Sequence, residues 1–212
     1  REVAPDSEQL LLLQADALTY RGKYAEALTT FARLRDRSAT DSRVSIAGEC
    51  RAISLSGNQT ALRDLIERWR EPGKPMLQLR PGISDSCLGL GLTEEASEQI
   101  ATMIAEGGIN ADALVAYAEV ALARGDTAEA RHLVSVADRL AKQSAEPERL
   151  HNFALVHLGL GDYAEAARIY HDIGTGRVSH IPGYPLSMSA LASRLAGEPT
   201  AAAETLKLAA TM

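Results

Sequence analysis

Residues 161–166 read Gly-Asp-Tyr-Ala-Glu-Ala, and residues 125–130 read Gly-Asp-Thr-Ala-Glu-Ala. The glycine that opens each stretch recurs along the chain, with steps of 35, 34, 34, 36 and 36 residues between successive copies. The six copies are Gly22, Gly57, Gly91, Gly125, Gly161 and Gly197. A period of about 34 residues is typical of a helix-turn-helix repeat, so the sequence predicts an array of helical hairpins.

Residues at fixed distances from each glycine repeat as well. Seven positions before it the residue is always small: Ala15, Cys50, Ser84, Ala118, Ala154 and Ala190. Nine positions after it the residue is always large and apolar or aromatic: Phe31, Ile66, Ile100, Val134, Tyr170 and Leu206. Eleven positions before it only Arg80 interrupts an apolar column. This spacing predicts one apolar face per helix, with small residues where two helices pack closely.

The turns carry the start and stop signals of helices. A glycine ends one helix in a left-handed conformation at little cost. Asp126 and Asp162 are predicted to cap the helices that follow, with Glu129 and Glu165 three residues further on as in a capping box. Pro199 fits the first turn of the last helix, where its missing N–H costs little.

On these residues the chain resembles the tetratricopeptide repeat family. The resemblance rests on the Gly-x-Tyr-x-x-Ala stretches at 22–27 and 161–166, each followed by an aromatic residue, Phe31 or Tyr170. It covers residues 6–212, with repeats 1, 4 and 5 matching well and Gln59, Thr93 and Pro199 replacing the tyrosine elsewhere. The resemblance implies a bacterial-type, alanine-rich array, although related helical-hairpin solenoids with a looser consensus stay open.

The predicted fold is all-α, a right-handed superhelix of about six helix-turn-helix repeats that form a single domain over residues 1–212. The predicted repeats span residues 8–42, 43–76, 77–110, 111–146, 147–182 and 183–212. Prolines and glycines interrupt the pattern at 71–86 and 174–185. Because proline disfavours a helix interior, we expect the first helix of repeat 3 to be shortened.

Composition excludes several classes of function. The net charge is −6 and no block of basic residues occurs, which argues against binding nucleic acid. No apolar stretch reaches the length of about 18 residues that a membrane span needs. Two cysteines, Cys50 and Cys87, are predicted to be buried free thiols, with a disulfide between them as the alternative.

The chain lacks the motifs of familiar catalytic and cofactor sites. No histidine pair has the spacing of a helical zinc site, and no nucleophile elbow or Cys-x-x-Cys pair occurs. The glycine-rich fragments at 89–91 and 174–176 follow no predicted strand, which argues against a phosphate loop. We therefore expect no catalytic residues, no metal and no cofactor, and classify the chain as a non-enzyme.

In the resembled family the first helix of each repeat lines a concave groove. The residues in the corresponding columns are the candidate partner-binding residues. They are Asp16, Arg51, Asp85, Val115, Glu119, Leu122, His151, Leu155, Leu158, Leu191 and Arg194. The early part of this groove is polar and partly acidic, whereas the later part is apolar.

An apolar groove suits an amphipathic helix or an extended apolar peptide. The alternative for each of its leucines is packing against the neighbouring repeat. His151 is the candidate for a pH-sensitive contact. Chaperone-binding members of the family use lysines and asparagines in these columns to bind a C-terminal carboxylate. This chain lacks that set of residues.

The leading functional hypothesis is a non-enzymatic scaffold or adaptor that binds a peptide or helix of a protein partner. By analogy of fold, its setting would be a bacterial secretion, pilus or envelope assembly. Two alternatives are a regulatory or sensor array from a longer protein with an enzymatic or DNA-binding effector domain, and a self-associating structural module that forms a homo-oligomer.

The ends of the chain carry a further expectation. Arg1 stands where a start methionine would be, and the segment 201–212 is rich in alanine without a polar face. We expect the chain to be part of a longer protein, or this end to pack on another surface. The sequence does not select between a cytoplasmic and a periplasmic location.

Overall fold

The computed structural model describes residues 7–37, 43–69, 80–141, 147–176 and 183–211, and within these ranges all regular structure is helical. The helices are α1 Glu8–Tyr20, α2 Tyr24–Arg37, α3 Arg43–Ser56, α4 Gln59–Trp69, α5 Arg80–Gly89, α6 Thr93–Gly107, α7 Ala111–Ala123, α8 Thr127–Ala141, α9 Pro147–Gly159, α10 Tyr163–Thr175, α11 Gly183–Leu195 and α12 Pro199–Ala209. Each predicted repeat contains one consecutive pair of these helices. The predicted all-α fold of six helical hairpins is therefore confirmed.

The chain forms two compact units, Arg1–Gly108 and Ile109–Met212, which we call the N-terminal and the C-terminal unit. In the N-terminal unit α3 packs against α1, α2, α4 and α5, so the three hairpins are in series. In the C-terminal unit α9 packs against α7, α8 and α10, and α10 packs against α11. That all six repeats form a single domain stays a prediction.

The repeat glycines form the turns between the two helices of each hairpin. All six have a positive φ, between +72° at Gly57 and +85° at Gly197, where residues with a Cβ are strained. In the first of these turns the N–H of Lys23 donates to the carbonyl oxygen of Leu18 at 2.9 Å, which satisfies a carbonyl at the end of α1. Glycine therefore recurs at this period because each turn needs a residue with a positive φ.

The repeating columns form the core. Every member of the small-residue column is buried, from Ala15 to Ala190. The large apolar column is also buried in the first five repeats, while Leu206 on α12 is exposed. Leu206 differs because α12 is the last helix that the structure describes, and no later described helix covers it.

Arg80, the one polar member of its apolar column, is buried with its charge paired. Its guanidinium donates to the Glu106 carboxylate on α6 at 2.9 and 3.3 Å and to Gln99 Oε1 at 3.0 Å. The aliphatic part of an arginine packs like an apolar side chain while its charged end finds partners. At this position of the column the side chain is therefore buried with hydrogen bonds to Glu106 and Gln99, whereas the other members are apolar.

Two local predictions had different outcomes at the turns. Asp126 caps α8, because its Oδ1 accepts from the N–H of Glu129 at 2.9 Å. Asp162 precedes α10 without capping it, so that prediction was wrong. Its carboxylate instead accepts from Arg131 Nη1 at 2.7 and 2.9 Å, because the preceding hairpin places a guanidinium beside it.

The interruptions in the pattern fall where helices are short or outside the described residues. The described part of helix α5 has 10 residues, whereas the described first helices of the other repeats have 13 or 14. Because the residues directly before α5 lie outside the described residues, the shortened first helix of repeat 3 stays a prediction. Residues 70–79 and 177–182, which carry Pro72, Gly73, Pro75 and Pro182 of these interruptions, lie outside the described residues.

Candidate functional site

In the N-terminal unit the candidate residues occupy one row across three helices. Asp16 on α1, Arg51 on α3 and Asp85 on α5 all stand six positions before a repeat glycine. Helix α3 packs against both α1 and α5, so the three side chains follow one another across adjacent helices. Asp16 is half-buried, and the other two are exposed. We call these three residues the charged row.

Arg51 is held by a tyrosine on the preceding hairpin. Its Nη1 donates to the phenol oxygen of Tyr20 at 3.1 Å, and its guanidinium carbon lies 6.0 Å from the centre of the Tyr20 ring. Both contacts favour one position of a long side chain. The guanidinium is therefore directed toward α1.

A depression of about 310 Å³ lies between α3 and α5. Asp85 and Arg51 are the charged residues along it. The remaining lining residues are small, apolar or hydroxyl-bearing: Ala47, Ser54, Leu55, Gly82 and Ser86. We call this feature the α3–α5 depression. It brings together Arg51 and Asp85, two members of the charged row that occupy the same register in adjacent repeats.

The surroundings of Asp85 change its protonation. The protein atoms around the carboxyl group displace water and raise its pKa to about 6 from the ordinary value of 3.8. No described residue donates a hydrogen bond to it. Solvent still reaches the side chain, which moderates the free energy that this pKa shift represents.

In the C-terminal unit the candidate leucines differ in their exposure. Leu155 on α9 and Leu191 on α11 stand six positions before their glycines and are 38% and 49% exposed. Arg194, one turn beyond Leu191, is also exposed. We call Leu155, Leu191 and Arg194 the exposed leucine face. Its two leucines are available to another molecule.

Leu122 and Leu158 instead pack against other helices of the C-terminal unit. A Cβ built on Gly159 would lie 2.8 Å from Leu122 Cδ1, so the leucine fills the space left by that glycine. Leu158 packs on the alanine cluster formed by Ala166, Ala167 and Ala192. Both leucines are half-buried. The packing alternative that the sequence left open therefore describes these two positions.

Other candidates of the C-terminal unit lie deeper. Val115 is 1% exposed and belongs to the core of this unit, so we leave it out of the proposed surface. Glu119 is half-buried. His151 is half-buried too, and burial lowers its pKa, so it is neutral at pH 7.

His151 belongs to an aromatic cluster. Its ring centre lies 5.5 Å from that of Tyr170 in an edge-to-face arrangement and 5.8 Å from that of Tyr184. The Tyr170 hydroxyl is buried, and no residue in the described ranges forms a hydrogen bond with it. Burial raises its pKa well above the usual range, so it stays protonated.

Sequence reasoning missed three exposed residues beside these surfaces. Tyr20 and Leu55 stand two positions before a repeat glycine. The neighbouring position, three before the glycine, carries the candidates Leu122, Leu158 and Arg194 in later repeats. Tyr184 follows the interruption before repeat 6, where the register is hard to place. The sequence feature that could have identified them is a large apolar or aromatic residue near the end of the first helix of a repeat.

The described part of the chain offers little of the chemistry that catalysis or metal binding uses. It contains no group of three or more histidine, cysteine or acidic residues that could hold a metal ion. Cys50 and Cys87 are buried free thiols, and burial raises the pKa of each to about 12, so neither is a ready nucleophile. Among the described helices none has the length and apolar character needed to cross a membrane.

Comparison with solved structures agrees with the repeat architecture. The chain is similar to a tetratricopeptide repeat protein from Parabacteroides merdae ATCC 43184, with a TM-score of 0.61 and 15% sequence identity. The likeness covers 99% of this chain and 80% of that one. No family model and no curated protein matches the sequence. The helical hairpins, the glycine turns and this likeness together show that the chain has the tetratricopeptide repeat fold.

Proposed function

We propose that this protein is a non-enzymatic scaffold or adaptor that binds a peptide or helix of a protein partner along its first helices. The repeat fold supports an interaction role in general terms, because stacked hairpins present extended surfaces to partners. The finer setting that we propose, a bacterial secretion, pilus or envelope assembly, follows from the resemblance and not from a contact in the structure.

The observation that carries this proposal is the exposed leucine face. Leu155 and Leu191 occupy the same register on α9 and α11, and both leave more than a third of their surface to solvent. Leu158 packs on the alanine cluster that joins α9, α10 and α11, so the two exposed leucines stand on connected helices. Apolar side chains exposed at a repeated position are typical of a surface that accepts an amphipathic segment.

The test compares peptide binding by the wild-type protein with binding by a double variant of the exposed leucine face. Wild-type protein is screened against a library of amphipathic and extended synthetic peptides, and the affinity of the best binders is measured by fluorescence anisotropy. We expect Leu155→Glu/Leu191→Glu to weaken binding roughly tenfold or more, because charged residues oppose an apolar contact. Leu122 and Leu158 are avoided because their substitution would disturb packing between repeats.

A matched control is available on α1. Leu10 and Leu13 are 38% and 59% exposed, so Leu10→Glu/Leu13→Glu adds the same charge at similar exposure on another helix. The control is expected to bind like wild type, and both variants are expected to melt within a few degrees of it. Equal loss of binding in the two variants would argue against a surface on the C-terminal unit.

A second candidate, self-association, has an observation of its own. A groove of about 320 Å³ between α11 and α12 is lined largely by apolar residues. Leu191 and Leu206 along it are exposed, and so is the nearby Leu195. Sedimentation equilibrium from micromolar to near-millimolar protein tests this candidate. A mass that rises with concentration in wild type, and not in Leu191→Glu/Leu206→Glu, would support it.

A further inference from the structure

We propose that the α3–α5 depression binds a lysine or arginine side chain of a partner peptide, with Asp85 as the carboxylate that pairs with it. The inference rests on the proposed function and deepens it, because it names the chemistry of the segment that the N-terminal unit recognises. Three features of the depression lead to this occupant.

The first feature is its shape and lining. At about 310 Å³ the depression lies at the lower end of the range of about 300–1,000 Å³ found for ligand pockets. Ala47 and Leu55 give it apolar walls, and the space in front of Gly82 is open, with no atom within 4 Å of a Cβ built there. Such a channel suits the long apolar stem of a lysine or arginine, which packs on apolar surface while its charge stays at a polar end.

The second feature is a carboxylate that has no partner among the described residues. No described residue pairs with Asp85 or donates a hydrogen bond to it. The nearby Ser86 hydroxyl donates instead to the carbonyl oxygen of Gly82 at 2.9 Å. A carboxylate that is partly withdrawn from water and lacks a donor gains most from a cationic hydrogen-bond donor.

The third feature is the position of Arg51. This guanidinium lies along the same depression, yet it donates to Tyr20 at 3.1 Å on the side of α1. The charged row therefore presents two carboxylates with one guanidinium between them. A complementary segment places a cation opposite a carboxylate and a backbone carbonyl opposite Arg51, which is the charge complementarity that selects partners.

The experiment uses an array of synthetic decapeptides built from alanine, serine and leucine. Each carries one to three residues of lysine, arginine, norleucine or glutamate at varied positions. Wild-type protein is expected to select the lysine and arginine peptides, and anisotropy then gives affinities for the best of them. We expect Asp85→Asn to weaken their binding roughly tenfold, the change typical of losing one close charge pair.

The control is Asp64→Asn, which removes the same charge from an exposed position on α4. It is expected to bind within about twofold of wild type, since a charge outside the contact acts only through screened long-range fields. Asp85→Asn is expected to melt no lower than wild type, so that weaker binding is not the result of unfolding. Asp85→Lys is expected to lose the lysine peptides and to gain those with glutamate.

Several outcomes would overturn the inference. A preference of wild type for glutamate peptides, lost in Arg51→Gln, would show that the depression binds anions. Peptides that depend on Leu155 and Leu191 without any preference for basic residues would overturn the inference and leave the proposed function standing. If no peptide of any class binds, both fall.

Discussion

The ring of Phe31 on α2 lies against Gly48 on α3, and a Cβ built on that glycine would stand 2.6 Å from Phe31 Cζ. The Asp16 Oδ1 atom, from the first member of the charged row, lies 3.4 Å from the same point. Gly48 is not one of the repeat glycines and has no positive φ. Its missing side chain allows the second helix of repeat 1 to pack on the first helix of repeat 2.

Gly48→Ala is expected to destabilise the N-terminal unit. Overpacking of a tight contact typically costs about 1–3 kcal/mol, and the higher helix propensity of alanine offsets up to about 1 kcal/mol of this. The matched control is Gly82→Ala on α5, where a Cβ meets nothing within 4 Å; there we expect a gain of about 0.4–1 kcal/mol. Urea unfolding of both variants measures the difference. Equal stabilities would show that the Phe31 ring moves aside freely.

The pairing of Arg80 predicts an asymmetric response to substitution. Glu106→Gln leaves the buried guanidinium without its counter-charge and is expected to cost about 1.5–3 kcal/mol. Arg80→Met keeps an apolar stem in the column and leaves Glu106 where water can solvate it, because that side chain is 46% exposed. Its cost is therefore expected to be smaller, about 1 kcal/mol, for the lost hydrogen bond to the buried Gln99.

The double variant should then be no less stable than Arg80→Met alone. A double-mutant cycle on the free energy of unfolding gives the coupling between the two residues. If the two single changes simply add, the pair contributes nothing to stability and the column is held by the arginine stem alone.

Asp85 predicts a pH-dependent term in stability. Its pKa is about 6 in the folded chain, against an ordinary value of 3.8, so the folded state keeps a proton that the unfolded state releases between these values. Stability from this group is therefore present below pH 3.8 and is lost as the pH rises to about 6. Asp85→Asn removes the effect.

We expect Asp85→Asn to be more stable than wild type by about 1 kcal/mol at pH 7 and equal to it near pH 4, since exposure of the side chain limits the effect. Urea unfolding at both pH values measures this gap. A gap that stays constant with pH would contradict the raised pKa.

The small-residue column predicts where bulk is not tolerated. Ala118 on α7 is fully buried, and Ala118→Trp is expected to cost about 1–3 kcal/mol or more through overpacking. Ala166→Trp on α10 is expected to behave in the same way. The control is Ala123→Trp, at an exposed position of α7. Thermal melting followed by circular dichroism compares the three, and wild-type melting of both buried variants would show that the repeat register is incorrect.

The repeat fold followed from the sequence because its signals are local. A glycine at each turn reports a positive φ, and an apolar period reports which face of a helix is buried. These signals predicted the six helix pairs and the small column that runs from Ala15 to Ala190. They also identified the helices that carry the candidate surfaces.

The side-chain partners were decided by the tertiary structure. The sequence assigns Leu122 and Leu155 the same role, but in the structure Leu122 packs against Gly159. Asp162 has the sequence of a helix cap, but its carboxylate accepts a hydrogen bond from Arg131. Each of these contacts joins residues about one repeat apart. The turns and the helical period depend on residues that are close in sequence, so the sequence by itself determined the hairpins. Packing and charge pairing depend on the side chains that a neighbouring helix places within a few ångströms. The tertiary structure therefore determined which side chains remain exposed to a partner.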